Sequence, residues 1–324
     1  MASERVRAKL ASFAPLYVLI ATWLVAAHST PHFADLAWRD GRLVGASVDA
    51  CVRAVPVMLA ALGLTLVIAG GGIDLSVGSV LALAAVGAAR VSEADGSAAA
   101  AVAAALGLGL LVGALNGTLV VALGLAPIVA TLASMIVVRG AAQLAAGGVV
   151  VPIDRSGLVE ILAARPAGLP ASVLLVGLLF AAFAVAKRRF AFGLYLEASG
   201  DNPRAARLAG LPVGAVLFAT YVLAGLAAAL AGLVVASEIR AADSASAGLY
   251  LELDAILAVV IGGTPLSGGR ARLLATLVGA LALQTLATAM LMHGLAPHIA
   301  LLVKGVVVLV AAATARPSWG RAIA

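Results

Sequence analysis

A polytopic bundle of transmembrane helices, all-α, is the fold this sequence predicts, and three observations predict it. Of the 324 residues, 63% are hydrophobic and only 11% are charged, whereas soluble domains carry roughly 25% charged residues. The apolar residues come in runs of about 15 to 25, long enough to cross a bilayer as helices. These runs are rich in Ala, Leu, Val and Gly and lack the apolar and polar alternation that a strand-built barrel requires. In hydrocarbon each backbone amide must be satisfied within its own segment, which makes the helix the favoured crossing.

About ten spans are expected, within a single transmembrane domain covering residues 1–324. The first, 13–27, follows a short basic stretch as a signal peptide would. No small-residue cleavage site follows, and His28 and Pro31 stand where one belongs, so it is expected to be a retained anchor. Residues 55–69, 77–89, 98–123 and 128–146 complete the first group. The second group is 172–186, 213–237, 253–261, 273–291 and 299–313. Residues 77–89 and 253–261 fall short of the ~20 residues of a full crossing.

Short cytoplasmic loops collect Lys and Arg. With the N-terminus inside, the inward segments hold Arg5, Arg7 and Lys9, then Lys187, Arg188, Arg189, Arg204 and Arg207, and finally Arg270, Arg272, Arg316 and Arg321. The outward segments carry Glu93 and Asp95 in "SEADGS", and Glu238, Asp243, Glu252 and Asp254 against Arg240 alone. Both termini are therefore expected in the cytoplasm. The first outer loop is mixed, with Arg39, Arg42 and Arg53 beside Asp35, Asp40 and Asp49. The net charge of +6 is spread over the inner loops, with no aromatic-interleaved basic surface, so it reads as a topology signal and not as nucleic-acid binding. A single cysteine, Cys51, excludes an internal disulfide.

Between the sixth and seventh spans lies "YLEASGDNPRAARLAGLP", Tyr195 to Pro212, which is polar and carries its own stops. Asn202 suits an N-cap, Pro203 the first helical position, and Gly210 the C-terminal stop. Arg204 and Arg207 share one face of this two-turn helix, and Leu208 with Ala205 forms a small apolar face beside them. An isolated helix this short does not persist in water. It either rests on anionic head groups or docks onto a cytoplasmic partner.

Gly71, Gly72, Leu75, Ser76 and Gly78 recur at a constant offset as Gly262, Gly263, Leu266, Ser267 and Gly269, each set after a run rich in Val and Ile. Matching glycine interruptions point to broken helices beside a substrate route, or else to close helix packing. Asp74 lies in the first copy; a backbone amide of the glycine turn as partner would make it structural. The other polar residues within spans are Asn116, Arg139, Gln143 one turn beyond it, and Gln284. A guanidinium at the centre of a span costs on the order of 2.5 to 3.5 kcal/mol, so Arg139 should face protein, water or the interface. Together these five residues could meet a hydroxyl-rich cargo or bond helix to helix. Lys304, near the outer part of the last span, is expected to snorkel to the interface.

Catalytic readings find no support. A P-loop needs its lysine followed by Ser or Thr; the only lysines are Lys9, Lys187 and Lys304, and none is. Any ATP-derived work must come from another subunit. His28 with His32 and His293 with His298 lack a carboxylate at ligand spacing, and no Ser, His and Asp set converges, so neither a metal site nor a catalytic site is expected. No cofactor is implied.

"GGIDLSVGSVLALAA" from Gly71, "ASGDNPRAARLAG" from Ala198 and "AILAVVIGGTPLSGGR" from Ala255 resemble the permease subunits of bacterial ATP-binding-cassette importers of the ribose-type, monosaccharide branch. The likeness runs from about His32 to Val310. The stretches from Arg39 and from Ser237 look most like the galactofuranose-type permease of that branch. Pro265 departs from a common Ser, and Asp201 from a small residue. The resemblance implies a bacterial inner-membrane protein with a cytoplasmic ATPase subunit, a periplasmic sugar-binding protein and a second, similar or identical, permease chain as partners. It makes 187–212 the coupling loop, with Asn202, Pro203, Arg204, Arg207, Leu208 and Gly210 engaging the ATPase, and the acidic segment from Glu238 to Asp254 a landing surface for the binding protein. An ion-coupled secondary transporter is the rival class; it would need a carboxylate relay within the membrane, of which Asp74 would be the sole member.

Overall fold

The computed structural model describes residues 14–30, 32–153 and 157–314; Arg5, Arg7, Lys9, Pro31, Arg316 and Arg321 lie outside the described residues, as does position 13 of the first expected span. The chain opens with α1 (Ala14–Ser29) and a hairpin in which β1 (Ala37–Arg39) pairs antiparallel with β2 (Arg42–Val44). Then come α2 (Ala46–Ala69), α3 (Val77–Asp95), α4 (Ala98–Gly117, prolonged by a π-helical turn at Thr118–Ala122) and α5 (Pro127–Ala146). After β3 (Val151–Pro152) and α6 (Leu158–Ala163), α7 (Ala171–Arg189) leads into two shorter helices, α8 (Ala191–Asp201) and α9 (Pro203–Leu208). The remainder is α10 (Val213–Ile239), β4 (Ala241–Ala242, antiparallel to β3), α11 (Leu251–Ile261), α12 (Leu273–Met292) and α13 (Pro297–Thr314).

Local chemistry sets several of these ends. Ser97 Oγ accepts from Ala100 N at 3.3 Å to start α4, Pro127 occupies the first turn of α5, and Gly147 closes α5 at φ 65°. The short span expected at 77–89 is corrected by the structure: α3 continues through Arg90 and Glu93 to a length of 19 residues. Arg90 explains the extension. Its Nη1 reaches Glu93 Oε2 at 2.9 Å, while Nε and Nη2 donate to the carbonyls of Ala145 (3.0 Å) and Ala146 (2.9 Å) in the last turn of α5, where carbonyls lack intrahelical partners.

Among the described residues, seven helices are long and apolar enough to cross a membrane: α2, α3, α4 with its π turn, α5, α7, α10 and α12. The other three expected spans are also helical, as α1, α11 and α13. α11 remains short, its 11 residues covering about 16 Å, roughly half of a hydrocarbon core.

The axis of the bundle is α2, buried over most of its length, with α10 against it and α3, α4, α11 and α12 packed around the pair. Small residues bring α4 and α10 to backbone contact. A Cβ on Gly225 would stand 2.2 Å from Gly109 O, and one on Gly113 would stand 2.6 Å from Tyr221 O. Between helices the interior is Leu, Val and Ala, as in the cluster of Leu59, Leu62, Leu66, Leu81, Val234 and Leu196. In lipid such contacts gain van der Waals energy and not the hydrophobic effect, which is why close approach matters more here than side-chain size.

Candidate functional site

The short helix forms as its residues require. Asn202 Oδ1 accepts from Ala205 N at 3.0 Å, Pro203 follows at the first position, and Gly210 at φ 78° ends the element. Only Ala206 is buried; Arg204, Arg207 and Leu208 are exposed, Leu208 at 91%. Leu208 thus adds an apolar side chain to the exposed surface that carries Arg204 and Arg207.

What roots α9 is the junction just before it. Gly269 N donates to Ala69 O at 2.9 Å, joining the end of α2 to the loop after α11. Gly200, near the end of α8, is wedged against this bond: a Cβ there would fall 1.9 Å from Ala69 O and 2.7 Å from Gly269 N. A Cβ on Gly268 would lie 2.7 Å from Gly200 O and 3.0 Å from Gly71 N. The two echoed glycine turns therefore meet each other, with the root of α9 between them. Side chains brace the same place. Lys187 Nζ pairs with Glu197 Oε1 at 2.8 Å and donates to Ala271 O, and Ala271 N donates to Glu197 Oε1 at 2.9 Å. The end of α7, the middle of α8 and the start of α12 are thus one connected block.

From this junction the chain runs without helix through residues 73–76, and side chains satisfy its backbone as burial demands. Asp74 Oδ1 accepts from Ser76 N at 2.8 Å and from Ser76 Oγ at 2.7 Å; Asn116 Nδ2 donates to that same hydroxyl oxygen at 2.7 Å. Thr131 Oγ1 accepts from Leu75 N at 3.2 Å and donates to Pro127 O at 2.8 Å. Asp74 is 1% exposed and Asn116 is 0% exposed. Its bond to the Ser76 amide gives Asp74 a role in holding the turn.

Farther along α5, Arg139 Nη1 donates to Ala247 O at 2.6 Å and to Ser244 O at 3.2 Å, tying α5 to the loop that precedes α11. Beside it the starts of α3 and α11 touch, since a Cβ on Gly78 would stand 2.3 Å from Gly248 O and 2.4 Å from Glu252 Oε2. Gln143 is exposed on α5 and Gln284 is half-buried on α12. The structure does not bring these two into the Asp74 network.

Lys304 departs from expectation. Instead of snorkelling, its Nζ meets Asp254 Oδ2 at 2.6 Å, with side-chain exposures of 11% and 20%. An ammonium held that far from water is stabilised only by a partner, and the first turn of α11 supplies one. The clue available in the sequence was a lysine and an aspartate, each lacking a neighbour of opposite charge on its own span. Outside the spans, Asp243 accepts from Ala245 N at 2.9 Å and Ser246 Oγ at 2.5 Å, and these bonds hold its carboxyl below the usual carboxylate range.

Residues 47–312 match the family described as the branched-chain amino acid transport system / permease component. The chain belongs to this family. The permease is 46% identical over 294 residues to the galactofuranose transporter permease protein of Escherichia coli (strain K12), covering 91% of this chain and 86% of that one. It is 36% identical over 255 residues to the ribose import permease protein of the same strain (78% and 79% covered), and 33% identical over 259 residues to the fructose import permease protein of Bifidobacterium longum (76% and 71% covered). No solved structure matches it. The permease is thus a multi-pass membrane protein that forms a translocation pathway, and its relatives are transport components and not catalysts.

Proposed function

We propose that the permease carries a monosaccharide, galactofuranose or a close analogue, across the bacterial inner membrane as one half of an ATP-binding-cassette importer. The observation that carries this reading is the junction at Gly200. A partner pressing on the exposed Arg204, Arg207 and Leu208 would displace α8, and with it both glycine turns, the non-helical segment 73–76 and the start of α12. That is a lever from the membrane's inner face to its interior.

In this reading ten segments cross the membrane with both termini in the cytoplasm, and residues 187–212 form the coupling loop. The partners are a cytoplasmic ATPase subunit, a periplasmic binding protein that lands on the segment from Glu238 to Asp254, and a second permease chain. The exposed Gln143, the half-buried Gln284 and the free donors of Arg139 face the pathway, while Asp74 and Asn116 support its wall. The family description names branched-chain amino acids, and a zwitterionic cargo would call for an unpaired cation and an unpaired anion along the route. Lys304 and Asp254 neutralise each other, and Arg139 lies beside Glu252. Neutral amides suit a neutral polyhydroxyl cargo better, in agreement with the sugars named for the relatives.

The test is reconstitution. Vesicles holding the permease chains, an ATPase and the sugar-binding protein should accumulate labelled galactofuranose only with ATP, and R204E/R207E should reduce uptake to background while the binding protein still docks. Uptake by the permease alone, driven by an ion gradient, would assign it to the secondary transporters instead.

A further inference from the structure

A groove of about 450 Å³ opens between the start of α1, the end of α7 and the start of α12. Its rim is cationic, with Arg188 exposed and Arg272 half-buried, and neither guanidinium makes a hydrogen bond or ion pair among the described residues. Lys187 contributes a third positive charge, already shared with Glu197 at 2.8 Å. Behind the rim the walls are apolar. Phe180 and Ala184 continue the Arg188 face of α7 at four-residue spacing, and Leu274 and Val278 do the same on α12. Eight residues of helix carry that apolar wall about 12 Å inward from the charged end.

This is the charge profile of a phospholipid: anion at the end, hydrocarbon behind it. The geometry points to a bound anionic phospholipid of the inner leaflet, its phosphate between Arg188 and Arg272 and one acyl chain along Phe180, Ala184, Leu274 and Val278. A free anion has no use for the apolar wall. Residues 1–13 carry Arg5, Arg7 and Lys9 against Glu4, the wrong sign for this rim. The inner-leaflet assignment rests on the inward orientation proposed above. Basic pockets between transmembrane helices on the cytoplasmic side take anionic head groups, each Lys or Arg near the surface contributing measurably. Because Lys187 also holds Glu197 and Ala271, the lipid would abut the block that roots α9.

Full-length permease purified in detergent should be titrated with phosphatidylglycerol or phosphatidylcholine, and the retained lipid counted by native mass spectrometry. Phosphatidylglycerol should bind about 30-fold more tightly, and R188Q/R272Q should abolish that preference. Val278→Trp, which fills the apolar wall and keeps both arginines, should weaken phosphatidylglycerol binding as well; a thermal melt checks that each variant folds. Equal retention of the two lipids, a preference surviving in R188Q/R272Q, displacement by millimolar inorganic phosphate, or binding seen only after removal of residues 1–13 would each overturn the site. Orientation is read separately, by labelling R188C in a Cys51→Ala background with an impermeant maleimide on sealed vesicles. Labelling only from outside would overturn the inner-leaflet assignment and leave the detergent selectivity standing.

Discussion

Gly200→Ala is the most informative single change at the junction that roots α9. The new Cβ would lie 1.9 Å from Ala69 O and 2.7 Å from Gly269 N, and both neighbours are backbone, so no side chain can swing aside. α8 must back away by about an ångström, the scale of displacement at which overpacked interiors lose about 1 to 3 kcal/mol. The movement also pulls apart the 2.9 Å bond from Gly269 N to Ala69 O, worth about 1 kcal/mol more. A total of about 2 to 4 kcal/mol translates into amide exchange across residues 262–272 that is about 30- to 700-fold faster. Hydrogen exchange read by mass spectrometry measures this, with ATP-driven uptake assayed on the same preparation. Gly177→Ala on α7, where a Cβ meets nothing within 4 Å, is the control and should change stability by no more than about 0.5 kcal/mol. If Gly200→Ala leaves both exchange and uptake at wild-type values, the junction does not hold α9 and the proposed lever is refuted.

Three further changes test other parts of the fold. Lys304→Met strands the half-buried Asp254 and should cost up to about 3 kcal/mol in a detergent melt, most of it regained in Asp254→Asn/Lys304→Met; a single variant as stable as wild type would show the pair to be idle. Asn202→Ala removes the cap on Ala205 and should lower helix stability by about 1 kcal/mol and reduce uptake, with Asn202→Ser restoring both; failure of the serine to rescue would point to a contact other than the cap. Asp243 has a depressed folded pKa, so its stabilising bonds to Ala245 and Ser246 are fully present above the unfolded value near 3.9 and vanish as pH falls through the lower folded value. An NMR titration placing Asp243 at or above about 3.9 would contradict the observed turn.

Much of the fold was legible in the sequence because lipid imposes one rule on every crossing segment. Apart from position 13, which lies outside the described residues, and Leu123, each expected span lies in a helix, and the Asn202, Pro203 and Gly210 signals bounded α9 correctly, since caps act over three or four residues. The sequence misjudged 77–89, because Arg90 looks like a terminus until the carbonyls of Ala145 and Ala146 are seen beneath it. It also misjudged Lys304, whose partner Asp254 lies on another helix 50 residues away. The echo of Gly71 and Gly262 was visible as a repeat, yet nothing in it disclosed that the two turns touch, or that Gly200 stands between them.

Composition and run length alone determined a multi-pass helical bundle, because hydrophobic thickness and backbone satisfaction depend on local sequence. Tertiary structure alone decided which glycines carry a backbone contact, which charges neutralise one another, and that the short helix α9 is tied to both glycine turns. Those facts depend on the relative rotation and depth of separate helices, quantities that no single segment encodes.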